Sequence, residues 1–204
     1  MQQVQKDRIL IAAGGICSDP YIEDAVYGSK FNHSVYNKII FIDYEPFLDK
    51  RYGWIPFYRK MRRLDKHGDW WQFAWKEDIR NEIRKHIENI VSQYDPDQVD
   101  GLFHSLGTWA ILGCDISMSK VMLFGSPYGS DSAVIRFRVK RELKKSIPKG
   151  LRCKELIYCF NREDFVSKEE PDIELLKEVS SKIKVLRIGL GHGLTQYLNC
   201  YEEK

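Results

Sequence analysis

The chain is short of the features that mark a secreted, metal-bound or membrane-spanning protein. Its five cysteines, Cys17, Cys114, Cys153, Cys159 and Cys200, are odd in number, scattered, and contain no C-x-x-C pair. That excludes a disulfide framework and a zinc knuckle, and the thiols are expected to be reduced. The five histidines, His33, His67, His86, His104 and His192, form no H-x-H or H-E-x-x-H spacing, so neither metal nor other cofactor is expected. No apolar run approaches the ~18 residues that span a bilayer, and the polar start Met1-Gln2-Gln3-Val4-Gln5-Lys6-Asp7-Arg8 lacks the apolar core of a signal peptide. The expectation is a cytoplasmic protein with no transmembrane segment. There is no internal repeat, and a net charge of +3 is too small to imply nucleic acid by itself.

What is present is an ordinary globular composition, 43% hydrophobic and 30% charged over 204 residues, which reads as a single domain spanning 1–204. Short apolar runs alternate with helix-like segments. Residues 8–13 end on Gly14-Gly15, and 38–43 form a similar run that stops at Tyr44-Glu45-Pro46. Uninterrupted apolar strands of this kind belong in a sheet covered on both faces. A helix is predicted over 76–94, where Ile79, Ile83, Ile87, Ile90 and Val91 recur at spacings of three and four. Further strands are predicted at 98–103, 120–124, 155–160 and 184–188, with a helix over 131–147 and a short closing helix to Tyr201. The alternation gives an α/β fold: a mostly parallel central sheet flanked by helices on both faces.

At the middle of the chain the strand Val99-Asp100-Gly101-Leu102-Phe103 runs through His104-Ser105-Leu106-Gly107 into the helix start Thr108-Trp109-Ala110. This strand, serine and helix resemble the nucleophile elbow of the α/β hydrolases, whose pattern is G-x-S-x-G. Gly107 matches the second glycine, and Phe103 stands where the first belongs. The resemblance, to a compact serine esterase or lipase of that superfamily, extends over nearly the whole chain. It implies Ser105 as nucleophile, Asp164 after the 155–160 strand as the acid, and His192, between Gly191 and Gly193 past the last strand, as the base. Glu163 competes for the acid role because the loop alignment can slip by one. The order serine, aspartate, histidine is the family's. The oxyanion hole would comprise the Leu106 N–H and a donor from the loop after the first strand, at Gly15 or Ile16. Ser126, in the family-like context Phe124-Gly125-Ser126-Pro127, is a turn residue, because Pro127 has no N–H to give an oxyanion. His104, if it ends a strand, points away from the side of its neighbours and is structural.

The implied chemistry is ester or thioester cleavage through an acyl-enzyme on a small-molecule acyl substrate, with no nucleic-acid partner. Two stretches suit a cap or flap, 44–75 and 128–150. The first concentrates Trp54, Trp70, Trp71 and Trp75 among basic residues, and a nucleic-acid surface over 50–75 is its weaker reading. The second carries Arg136, Arg138, Lys140, Arg141, Lys144 and Lys145 around Ile135, Val139, Leu143 and Ile147. It would cover the site, meet an acidic carrier protein or an anionic surface, or simply pack on the sheet. The competing reading of the whole chain is an inactive hydrolase-fold scaffold, in which the Phe103 ring prevents the elbow from forming.

Overall fold

The computed structural model describes residues 8–14, 36–42, 77–127, 133–161, 163–164, 167–168 and 170–188. They form six strands, β1 (Ile9–Ala13), β2 (Lys38–Phe41), β3 (Val99–His104), β4 (Ser117–Phe124), β5 (Arg152–Phe160) and β6 (Ile183–Arg187). The helices are α1 (Glu77–Val91), α2 (Leu106–Leu112), α3 (Ala133–Ser146) and the short α4 (Ile173–Leu176). All strand pairs are parallel, in the order β2-β1-β3-β4-β5-β6. The sheet is therefore wholly parallel, as its unbroken apolar runs require.

Side chains alternate between two buried faces with the period of a strand. One face gathers Ile9, Ile11, Val99, Phe103, Val121, Leu123, Leu156 and Tyr158 beneath helix residues such as Ile83, Ile87, Trp109, Val139 and Leu143. The other gathers Leu10, Ala12, Leu102, Met122, Phe124, Ile157 and Cys159, with Tyr36 and Ile188 packed among them. Among the described residues the helices lie on the first face only; the predicted closing helix to Tyr201 lies outside them. Of the two stretches suited to a cap, 44–75 is also outside the described residues. In the other, α3 buries Val139 and Leu143 completely against the first face, so it is a layer of the sandwich.

Two strands begin earlier than the apolar pattern indicates. β4 starts at Ser117 and β5 at Arg152, and these residues pair with each other at the amino edge of the sheet. Solvent reaches that edge, so residues with polar side chains start the backbone ladder there and leave no hydrophobic signal. The same edge holds an ion pair that pattern reading did not find. Arg8 donates to both carboxylate oxygens of the buried Asp100 at 2.6 and 2.5 Å, and the Tyr36 hydroxyl donates to the same carboxylate at 2.9 Å. It ties β1, β3 and the lead-in to β2 together. On the helical face, Glu142 of α3 accepts from Arg80 and Arg84 of α1, each at 2.9 Å.

Candidate active site

The strand order turns round between β1 and β3: the chain moves outward from β1 to β2, then returns to the other side of β1 and proceeds to β6. In open α/β sheets ligands bind at the carboxyl ends of the strands beside such a reversal of strand order, which makes this end the candidate crevice. Ser105 follows β3 and Gly14 follows β1, so both stand at the crevice. The Gly107 N–H donates to the Gly14 carbonyl at 3.2 Å, fastening the start of α2 to the end of β1.

Ser105 has φ 52° and ψ −117°, and it alone among the described non-glycine residues has a positive φ. This lies outside the small left-handed well open to L-residues and costs on the order of 1–3 kcal/mol, so the surroundings must enforce it. They do so from both sides. The Ser105 N–H donates to the Phe124 carbonyl on β4 at 2.9 Å, which holds the turn to the sheet. Its carbonyl accepts from the Thr108 N–H at 3.1 Å and from the buried Thr108 hydroxyl at 2.7 Å, which holds it to α2. Leu106 is the first residue of α2, where a backbone N–H has no intrahelical acceptor.

Phe103 does not block this turn. Its ring is fully buried on the first face and lies along the strand over Gly101, two residues earlier. A Cβ on Gly101 would fall inside the contact distance of that ring and 2.9 Å from the Met118 sulfur. Gly101, having no side chain, leaves the space that the Phe103 ring fills. His104 closes β3, buried on the face opposite Phe103.

After β5 the chain folds into a tight turn. The Asp164 N–H donates to the Asn161 carbonyl at 3.0 Å, the Ser167 N–H to the Asp164 carbonyl at 3.1 Å, and the Asn161 N–H to the Ser167 carbonyl at 3.2 Å. The Asn161 side chain accepts from the Glu163 N–H at 3.0 Å. The turn buries Asp164 completely and leaves Glu163 exposed. Ser105 and Asp164 thus follow strands two spacings apart, about 10 Å. Ser126 is fully buried behind Gly125, which takes φ 59° as β4 ends. His192, Gly15 and Ile16 lie outside the described residues. An open groove of about 400 Å³, lined by Asp97, Arg152, Lys154, Lys177 and Ser180, sits at the amino edge, at the opposite end of the sheet from Ser105. No group of three potential metal ligands occurs among the described residues.

No protein-family model and no curated protein matches the sequence. Solved structures do match over almost the whole chain. Est1E from Butyrivibrio proteoclasticus aligns with a TM-score of 0.59 at 10% identity, over 98% of this chain and 85% of its own. SOBER1 from Arabidopsis thaliana gives 0.56 at 12% identity, over 97% and 96%. Esterase PE8 gives 0.55 at 12% identity, over 97% and 90%. The fold is that of the α/β hydrolases. At such identities the likeness is one of architecture.

Proposed function

We propose that the protein is a serine hydrolase that cleaves a carboxylic ester or thioester through an acyl-enzyme. The observation that carries this reading is the Ser105 backbone. A strained, non-glycine turn held by hydrogen bonds from both sides serves no packing purpose of its own, whereas it lifts a hydroxyl clear of the sheet towards the crevice. In this reading His192 removes the hydroxyl proton as Ser105 attacks the acyl carbon, and later returns it to the leaving group. Asp164 fixes the imidazole tautomer and stabilises the imidazolium; its burial suits that task better than the exposure of Glu163 does. The Leu106 N–H, with a donor from Gly15 or Ile16, receives the oxyanion, each donor lowering the barrier by about 3 kcal/mol. Esterases among the structural neighbours, PE8 one of them, support the reaction class.

The test combines a short p-nitrophenyl ester with a fluorophosphonate probe. Ser105→Ala is expected to lose labelling and to lower kcat by more than about 1000-fold, while Ser126→Ala keeps both. Asp164→Asn is expected to lower kcat by about 10⁴-fold and Glu163→Gln to leave it within a few-fold. Full labelling of the Ser105 variant overturns the assignment.

A further inference from the structure

We infer that the outer face of α3 is a docking surface for an anionic lipid bilayer, independently of the hydrolytic reading. Val139 and Leu143 fix the inward direction of the helix, since both are fully buried. At 100° per residue, the direction opposite to them is that of Phe137, Arg141, Lys144 and Lys145. These four are all exposed, Phe137 at 65%. Lys149, in the turn that follows the helix, is exposed as well. Arg141, Lys144, Lys145 and Lys149 have no ion-pair partner among the described residues. The one carboxylate of α3, Glu142, is turned inward between Arg80 and Arg84. Among the described residues, the outer face of α3 and the turn that follows it therefore carry four cations without an ion-pair partner, and the helix also exposes one aromatic ring.

Its chemistry selects the occupant. Lysine is a compact, hydrated point charge suited to diffuse headgroup charge, whereas recognition of a protein carboxylate favours the arginine fork, and lysine is depleted from protein interfaces. Three of the four cations are lysines. Phe137, exposed on a helix that also carries long cationic stems, suits an interfacial helix seated at the headgroup level. Binding of this kind would deliver the protein to a lipid surface without any membrane-spanning segment; no described helix is long and apolar enough to cross one.

The experiment is co-sedimentation of the intact protein with vesicles of phosphatidylcholine alone and of phosphatidylcholine mixed with phosphatidylserine. Binding is expected only to the mixed vesicles, and is expected to weaken as salt is raised. Lys144→Gln/Lys145→Gln is expected to lower the partition coefficient more than tenfold, at about fivefold per cation removed. Phe137→Ala is expected to lower it roughly fivefold through the lost ring burial. Lys182→Gln/Lys184→Gln on and beside β6 removes the same net charge elsewhere and is expected to leave binding unchanged. Equal loss in the two lysine pairs, binding to neither vesicle, or retention on an acidic protein column without vesicle binding each overturns the proposal.

Discussion

Ser105 and Phe103 belong to one local arrangement. The elbow forces Ser105 out of the ordinary backbone wells, and the ring two residues before it must then lie flat in the first-face core, which is possible because Gly101 has no side chain. A methyl group at 101 collides with a buried aromatic and with Met118, neither of which can move into free space in a packed interior. Gly101→Ala is expected to destabilise the fold by about 1–3 kcal/mol, a fall in Tm of roughly 2–10 °C for a chain of this size. Phe103→Leu removes the part of the ring that lies over position 101. The double variant is therefore expected to recover at least about 1 kcal/mol relative to additivity in a thermal-melt cycle, and strict additivity would show that the two residues do not share the space. The departure at Phe103 was visible in the sequence. The role of Gly101 was not, because it depends on a contact between residues on the same side of a strand, and a glycine inside a strand has several possible reasons.

At the scale of elements, what the sequence made legible was burial. The run at 8–13 read correctly as a strand buried on both faces, and the four-residue spacing of Ile83, Ile87 and Val91 as a helix facing the core, whereas the similar run at 38–43 forms the edge strand β2, whose Ile39, Ile40 and Phe41 are only partly buried. The ends of elements were less legible where polar residues carry the structure, as at Ser117 and Arg152. The four residues of α4 were missed because one turn cannot show a period; its start is set by Asp172, whose side chain accepts from the Leu175 N–H at 3.4 Å. Helix-to-helix contacts are a further case, since the meeting of α1 and α3 through Glu142 joins residues about 60 positions apart. Arg80 also stacks over the buried Trp109 ring at 4.7 Å, so the two guanidiniums are fixed in place with Glu142 as their shared counter-ion. Removing that charge leaves two shielded cations facing each other. Glu142→Gln is expected to lower stability by about 1–2 kcal/mol in urea melts, with m unchanged, and to leave ester turnover intact. An effect below about 0.3 kcal/mol would mean that solvent screens the cluster as it does an ordinary surface pair.

Across the whole molecule the two ends of the sheet carry different duties. The carboxyl edge holds the strained serine and the buried aspartate, while the amino edge holds the Arg8, Asp100 and Tyr36 cluster and the thiols of Cys114 and Cys153. Reading the sequence placed Ser105 and Asp164 at strand ends through chain order; which strands neighbour one another, and hence that β4 alone separates them, followed only from the topology. The amino edge also sets how global stability responds to alkali. Burial pushes the Cys153 thiol up to about 12, with the nearby Glu155 adding to the shift and a hydrogen bond with Ser180 opposing it. Burial, then the charge of Glu88, pushes Cys114 up further still, against the opposing pull of Arg84. A thiol raised in the folded state stays protonated after its unfolded counterpart, with an ordinary value of 9.0, has ionised. The unfolded chain then binds fewer protons than the native one, so stability falls as pH rises above about 9 and goes on falling towards 12. By pH 10 Cys153 alone accounts for about 1 kcal/mol of that loss. Melting temperatures measured from pH 8 to pH 10.5 are expected to fall less steeply for Cys153→Ala than for the wild type, whatever the offset between them at pH 8, since lysines and tyrosines titrate equally in both. Parallel curves would show that the Cys153 thiol ionises alike in the folded and unfolded chains.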